Sequence, residues 1–155
     1  MERNKLLLEL KIRFEELKEE LKFKAAFEDI NSIFFLEDHI LHEGFISNQF
    51  SRQVCSRILE TYNGWAGYLH NLIMPNPGNI ASMMETKLMD EKEKKEIGEL
   101  FKKCMALSSE NAVIGLTKDK KKEAEFIDEA VNFWKSCFKN KLIEILKKVN
   151  ENWKK

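Results

Sequence analysis

Apolar residues recur along this chain at intervals of three and four, and no strand-like alternation lasts more than a few residues. That period predicts helices throughout. The most regular run is Leu7, Leu10, Phe14, Leu17 and Leu21, spaced 3-4-3-4 so that all five fall in one seam. Arg13, Glu16, Lys18, Glu19, Glu20 and Lys22 cover much of the remaining surface. Past Lys22 the apolar set widens to Phe23, Ala26, Phe27, Ile30, Ile33, Phe34 and Ile40, so the second half should be buried more deeply than the first. One helix is therefore expected from Arg3 to Leu41. The weak helix formers Asp29, Asn31 and Ser32 mark Glu28–Ser32 as the place for any break.

Gly44 reads as its stop, and Ser47 or Asn48 as the cap of the next helix. The second helix carries Phe50, Val54, Ile58, Tyr62, Trp65, Leu69 and Ile73 on one face, and Pro75-Asn76-Pro77-Gly78 ends it. Asn79 caps a short helix to Leu88. Asp90 with Glu93 three residues on resembles a capping box for the helix after it. That helix uses Ile97, Leu100, Phe101, Cys104, Met105 and Leu107, fraying through Ser108–Asn111 before a short apolar stretch around Gly115. Thr117 or Asp119 opens the last helix, which runs to Trp153 on a seam of Ile127, Val131, Trp134, Phe138, Leu142, Ile145 and Val149. The expected fold is all-α: an elongated antiparallel helical bundle of four long helices and one short one, filling a single domain over residues 1–155.

Composition agrees. The chain has 155 residues, only 6 Gly and 2 Pro, and 11 Phe, enough for a core without disulfides or metals. Cys55, Cys104 and Cys137 are odd in number and widely spaced. They form neither a disulfide framework nor a Cys-x-x-Cys site, and they read as reduced, buried thiols in a cytoplasmic protein. No apolar run reaches membrane-span length, and Met-Glu-Arg-Asn-Lys is not the start of a signal peptide, so no membrane association is expected.

The formal net charge of zero hides a segregation. Ala25–Ser51 contains no Lys or Arg and carries net −5, whereas in Lys135–Lys155 seven lysines stand against Glu144 and Glu151 for a net +5. The two segments either face each other within the bundle or stand as solvated faces, or they form complementary surfaces that steer partners or support self-association. Lys139, Lys141, Lys147 and Lys148 are the residues on which a nucleic-acid-binding reading rests. Against it, the basic residues there are all Lys, and no Arg occurs after Arg57.

Asp38 and His42, and His39 and Glu43, are four apart and share helix faces, as a metal or proton-sharing pair would require. His70 lies about 23 residues, roughly 35 Å, along the second helix, too far to complete that set. Glu-x-x-His pairs, His-Glu-x-x-His, Gly-x-Ser-x-Gly and Gly-rich phosphate loops are all missing. No catalytic residue, metal site or cofactor is assigned, and the reading leans away from an enzyme.

The least ordinary stretch is Thr61–Asn71. Gly64 and Gly67 inside a helix cost about 1 kcal/mol each relative to Ala. Close approach of a neighbouring helix is the expected compensation. Tyr62, Gly64, Trp65, Gly67, Tyr68 and His70 are the candidate interaction residues, because Tyr and Trp are enriched at binding hot spots. The function expected is a non-enzymatic interaction or assembly module that binds a protein partner or forms a homodimer. The alternatives are a nucleic-acid-binding accessory subunit or a metal- or small-molecule-dependent helical enzyme.

Overall fold

The computed structural model describes residues 2–155. Its elements are α1 (Glu2–Leu21), α2 (Phe27–Phe34), α3 (Leu36–Glu43), α4 (Phe50–Ile73), α5 (Ile80–Thr86), α6 (Glu91–Thr117), α7 (Lys120–Phe133), a π-helical segment (Trp134–Phe138) and α8 (Lys139–Trp153). No strand occurs among the described residues, so the all-α class holds. The expected count of four long helices is approximate, because the first of them is cut into three.

The cuts do not fall at Glu28–Ser32. α1 ends at Leu21, where Lys22 takes the left-handed φ of 65° and its N–H still reaches the Lys18 carbonyl at 2.8 Å. The next backbone donors, on Lys24 and Ala25, lie 2.9 Å from the carboxylate of Asp128 on α7. A second break comes at Phe35, also left-handed with φ 56°. There the Asn31 side chain accepts from the Glu37 N–H at 2.9 Å, and the Arg57 guanidinium donates to the Phe34 carbonyl. Each break draws on a side chain from a distant segment, Asp128 at the first and Arg57 at the second.

The chain forms two compact units. One gathers the chain up to Thr61 with Ser109–Asn132, and the other gathers Tyr62–Ser108 with Phe133–Lys155. The long helices α4 and α6 each contribute to both. In the first unit, Leu10, Phe14, Leu17 and Leu21 of α1 are buried, α1 packs on α2 and α3, and Phe27, Ile40, Val54 and Ile127 of the same unit are buried as well. Phe14 is fully enclosed and meets the rings of Phe23 and Phe27 edge-on at 5.6 and 5.2 Å. The Leu7–Leu21 seam is thus used inside its own unit. In the second unit, Tyr62 is fully buried, stacked on Phe133 at 5.9 Å and edge-on to Trp134 and Phe138. The π-helical segment supplies the last two of those rings.

Local punctuation falls where the sequence places it. Gly44 takes φ 83° at the end of α3. Asn79 Oδ1 accepts from the Ser82 N–H at 3.1 Å. Asp90 and Glu93 form the reciprocal capping box at 2.7 and 3.1 Å. Asp119 Oδ1 accepts from the Lys122 N–H at 3.1 Å. α6, however, runs unbroken through Ser108–Asn111, where fraying was expected. Asn111 is buried there, its side-chain oxygen 2.6 Å from the Arg52 guanidinium.

Candidate functional site

The six residues singled out on α4 separate by face. Tyr62 is inside. Gly64 and Gly67 are exposed, and a Cβ on either would meet no atom within 4 Å, so the expected close approach of a neighbouring helix does not occur. His70 is exposed, with its ring 5.7 Å from that of Phe101. Trp65 and Tyr68 are half-buried at the boundary, their rings edge-on at 6.3 Å.

Tyr68 leads to a constellation the sequence did not reveal. Its hydroxyl is hydrogen-bonded to Glu85 on α5; burial, with the Glu85 charge behind it, pushes the phenol up to about 12. The Trp153 indole on α8 donates to the same carboxylate at 2.7 Å. One carboxylate thus ties α4, α5 and α8 together at a surface that carries three aromatic side chains.

Beside it, α5 is inverted. Ser82 and Thr86 face inward at 6% exposure each, while Ile80, Met83 and Met84 face out at 78, 40 and 50%. Those three sit at i, i+3 and i+4 and so share one face. The cause lies at the end of α4. A helical carbonyl normally accepts from the N–H four residues on, and for Asn71 that residue is Pro75, which has no N–H. The Thr86 hydroxyl lies 2.8 Å from the Asn71 carbonyl and the Ser82 hydroxyl 3.3 Å from it. Ser82 Oγ also accepts from the Asn76 N–H at 3.2 Å. Satisfying an orphaned carbonyl turns the polar side of α5 inward, and its apolar side must then face out. Met74, just past the end of α4, is exposed as well, at 64%.

In the first unit a cleft of about 550 Å³ is lined by Arg13, Arg52, Lys118 and Lys120 and by Glu16, Glu20 and Glu123, among others. Its charges largely satisfy one another. Arg52 bonds the buried Glu123 at 2.7 Å and Asn111 at 2.6 Å, and Lys120 bonds Glu20 at 2.7 Å. Arg13 lies over the Phe50 ring and donates to the Ser47 carbonyl. Gly115 admits the Arg52 guanidinium, which a Cβ there would meet at 3.3 Å. Beneath this network the Cys55 thiol is pushed up to about 12, first by burial and then by the Glu123 charge.

The four lysines of the nucleic-acid reading are split. Lys141 pairs with Glu144 at 3.9 Å and Lys148 with Glu93, while Lys139 and Lys147 are exposed on another side of α8. Asp38 and His42 line a shallow groove with the start of α1. No group of three or more His, Cys, Asp or Glu placed to hold a metal occurs among the described residues, and no helix there is long and apolar enough to cross a membrane. No protein family, curated protein sequence or solved structure matches this chain.

Proposed function

We propose that this chain is a non-enzymatic helical interaction module that docks on protein through the outer face of α5. The observation that supports the reading is the inversion of that helix. Full burial of an Ile or Met side chain contributes about 1.5–3 kcal/mol, and the isolated chain leaves most of that unrealised at Ile80 and up to half of it at Met83 and Met84. A partner that covers the face recovers it. Methionine suits such a surface, because its unbranched, polarisable side chain fits differing shapes. Tyr68 and Trp153, bonded to Glu85 on the other flank of α5, and Trp65, edge-on to Tyr68, are side chains of the kinds that commonly anchor interfaces. The setting proposed is the reducing cytoplasm, supported by three free cysteines, of which Cys55 and Cys104 are buried.

The test compares wild type with a Met83→Glu/Met84→Glu variant whose melting curve is unchanged. A protein captured by wild type is purified and rebound to both forms. Binding that the variant loses supports the reading. If every captured partner binds both forms equally, the α5 face is not the docking surface.

A further inference from the structure

The cleft of the first unit keeps hydrogen-bonding capacity that its own side chains do not use. Its volume of about 550 Å³ is that of a small-molecule site, and the buried residues Leu17, Leu21 and Ile114 give it an apolar lining. On its wall Arg52 is fixed, with Nη1 donating to Glu123 Oε2 at 2.7 Å and Nη2 to Asn111 Oδ1 at 2.6 Å. Room for that guanidinium comes from Gly115, a glycine inside α6 that costs about 1 kcal/mol in helix propensity. Glu123 is only 5% exposed, yet among the described residues its Oε1 accepts no hydrogen bond and Arg52 Nε donates none. Every fully buried side-chain nitrogen and oxygen among those residues has a partner. The Glu123 Oε1 atom is therefore not sealed in, and it opens into the cleft that its residue lines. A carboxylate so nearly buried, with one oxygen unused, calls for a donor.

The charges of the lining do not cancel. Arg52 pairs with Glu123 and Lys120 with Glu20, which leaves Arg13, Lys118 and Glu16 without an ion pair among the described residues. Two cations against one carboxylate leave a single positive charge in excess. Asp119, beside Lys118, is taken up in capping α7. Arg13 is held over the Phe50 ring and by the Ser47 carbonyl. Lys118 stands at the end of α6 with φ 56°, a position where Gly is usual.

We propose that this cleft binds a small carboxylate that carries a hydrogen-bond donor and an apolar body, the chemistry shared by aliphatic amino acids and hydroxy acids. Arg13 and Lys118 take the carboxylate, Glu123 Oε1 takes the donor, and Leu17, Leu21 and Ile114 meet the aliphatic chain. The inference goes beyond the docking reading of α5 and does not depend on it.

The test is isothermal titration calorimetry on the full chain with matched probes. These are leucine, hydroxyisocaproate, isocaproate, which lacks the donor, and leucinol, which lacks the carboxylate. Leucine or hydroxyisocaproate should bind about tenfold more tightly than isocaproate and leucinol, the ratio that one hydrogen bond to a charged group supplies. The tighter of the two shows whether Glu123 receives an ammonium or a hydroxyl. Lys118→Gly removes a cation at a backbone position that glycine prefers, so the variant should melt no lower than wild type and bind the preferred probe about threefold more weakly. Glu123→Gln should erase most of the preference over isocaproate. The inference is overturned if no probe binds at concentrations up to about 10 mM. Isocaproate binding as tightly as the probes with a donor would overturn it too, as would a Lys118→Gly variant that binds as wild type does.

Discussion

The Asn71 carbonyl accepts the Thr86 hydroxyl at 2.8 Å in place of the backbone donor that Pro75 cannot supply. A proline in one element thereby sets the orientation of the next. The relationship is testable as a coupling. Thr86→Val keeps the shape and deletes the donor, and should cost about 1–3 kcal/mol. In a Pro75→Ala background the residue at 75 regains an N–H, and the same change should cost measurably less. Urea midpoints of the two single variants and the double variant decide it. Strict additivity would show that the proline does not orient α5.

Asp128 receives the N–H groups of Lys24 and Ala25 at 2.9 Å, closing the turn between α1 and α2. Asp128→Ala should therefore destabilise by about 1–3 kcal/mol by orphaning those donors. A loss within the usual range of a surface substitution, about 0.5 kcal/mol, would show that water replaces the carboxylate at no cost.

Phe14 is fully enclosed and contacts Phe23 and Phe27. Phe14→Ala should cost about 3–5 kcal/mol, read as a lowered denaturant midpoint. The same midpoint as wild type would place the α1 seam outside the core.

Gly64 and Gly67 face open space. Gly67→Ala should then stabilise α4 by about 0.5–1 kcal/mol through helix propensity alone. A lower melting temperature would restore the packing role that the sequence suggests for these glycines.

Burial pushes the thiols of Cys55 and Cys104 up to about 12 from an ordinary 9.0. Both are acids kept protonated by the fold. Between pH 9 and 12 the unfolded chain releases these protons first, so their contribution is full below pH 9 and falls as pH rises through that window. Urea midpoints from pH 8 to about 10.5 should decline, and Cys55→Ala should flatten the decline. In the native state, Cys55 should also resist alkylation at pH 8. Rapid labelling of Cys55 without unfolding would contradict its burial.

The sequence by itself determined the helices, most of their ends and much of the core. Gly44, Asn79, Asp119, the Asp90–Glu93 box and the Pro75–Gly78 stop act within a turn of where they stand, so the linear pattern contains both partners of each interaction. Of the candidate surface, Trp65 and Tyr68 were legible as candidate interaction residues, but Glu85, Trp153 and the outward face of α5 were not. The tertiary structure decided those, together with the breaks at Lys22 and Phe35. Each depends on a donor or acceptor from a distant segment: Asp128 for Lys24, Arg57 for Phe34, and Thr86 for Asn71. An unsatisfied backbone group costs as much as a lost hydrogen bond wherever its partner lies in the chain. Periodicity reports which side of a helix is apolar. Whether that side turns inward is settled by the polar groups that must be satisfied first, and in α5 they put the apolar side outside.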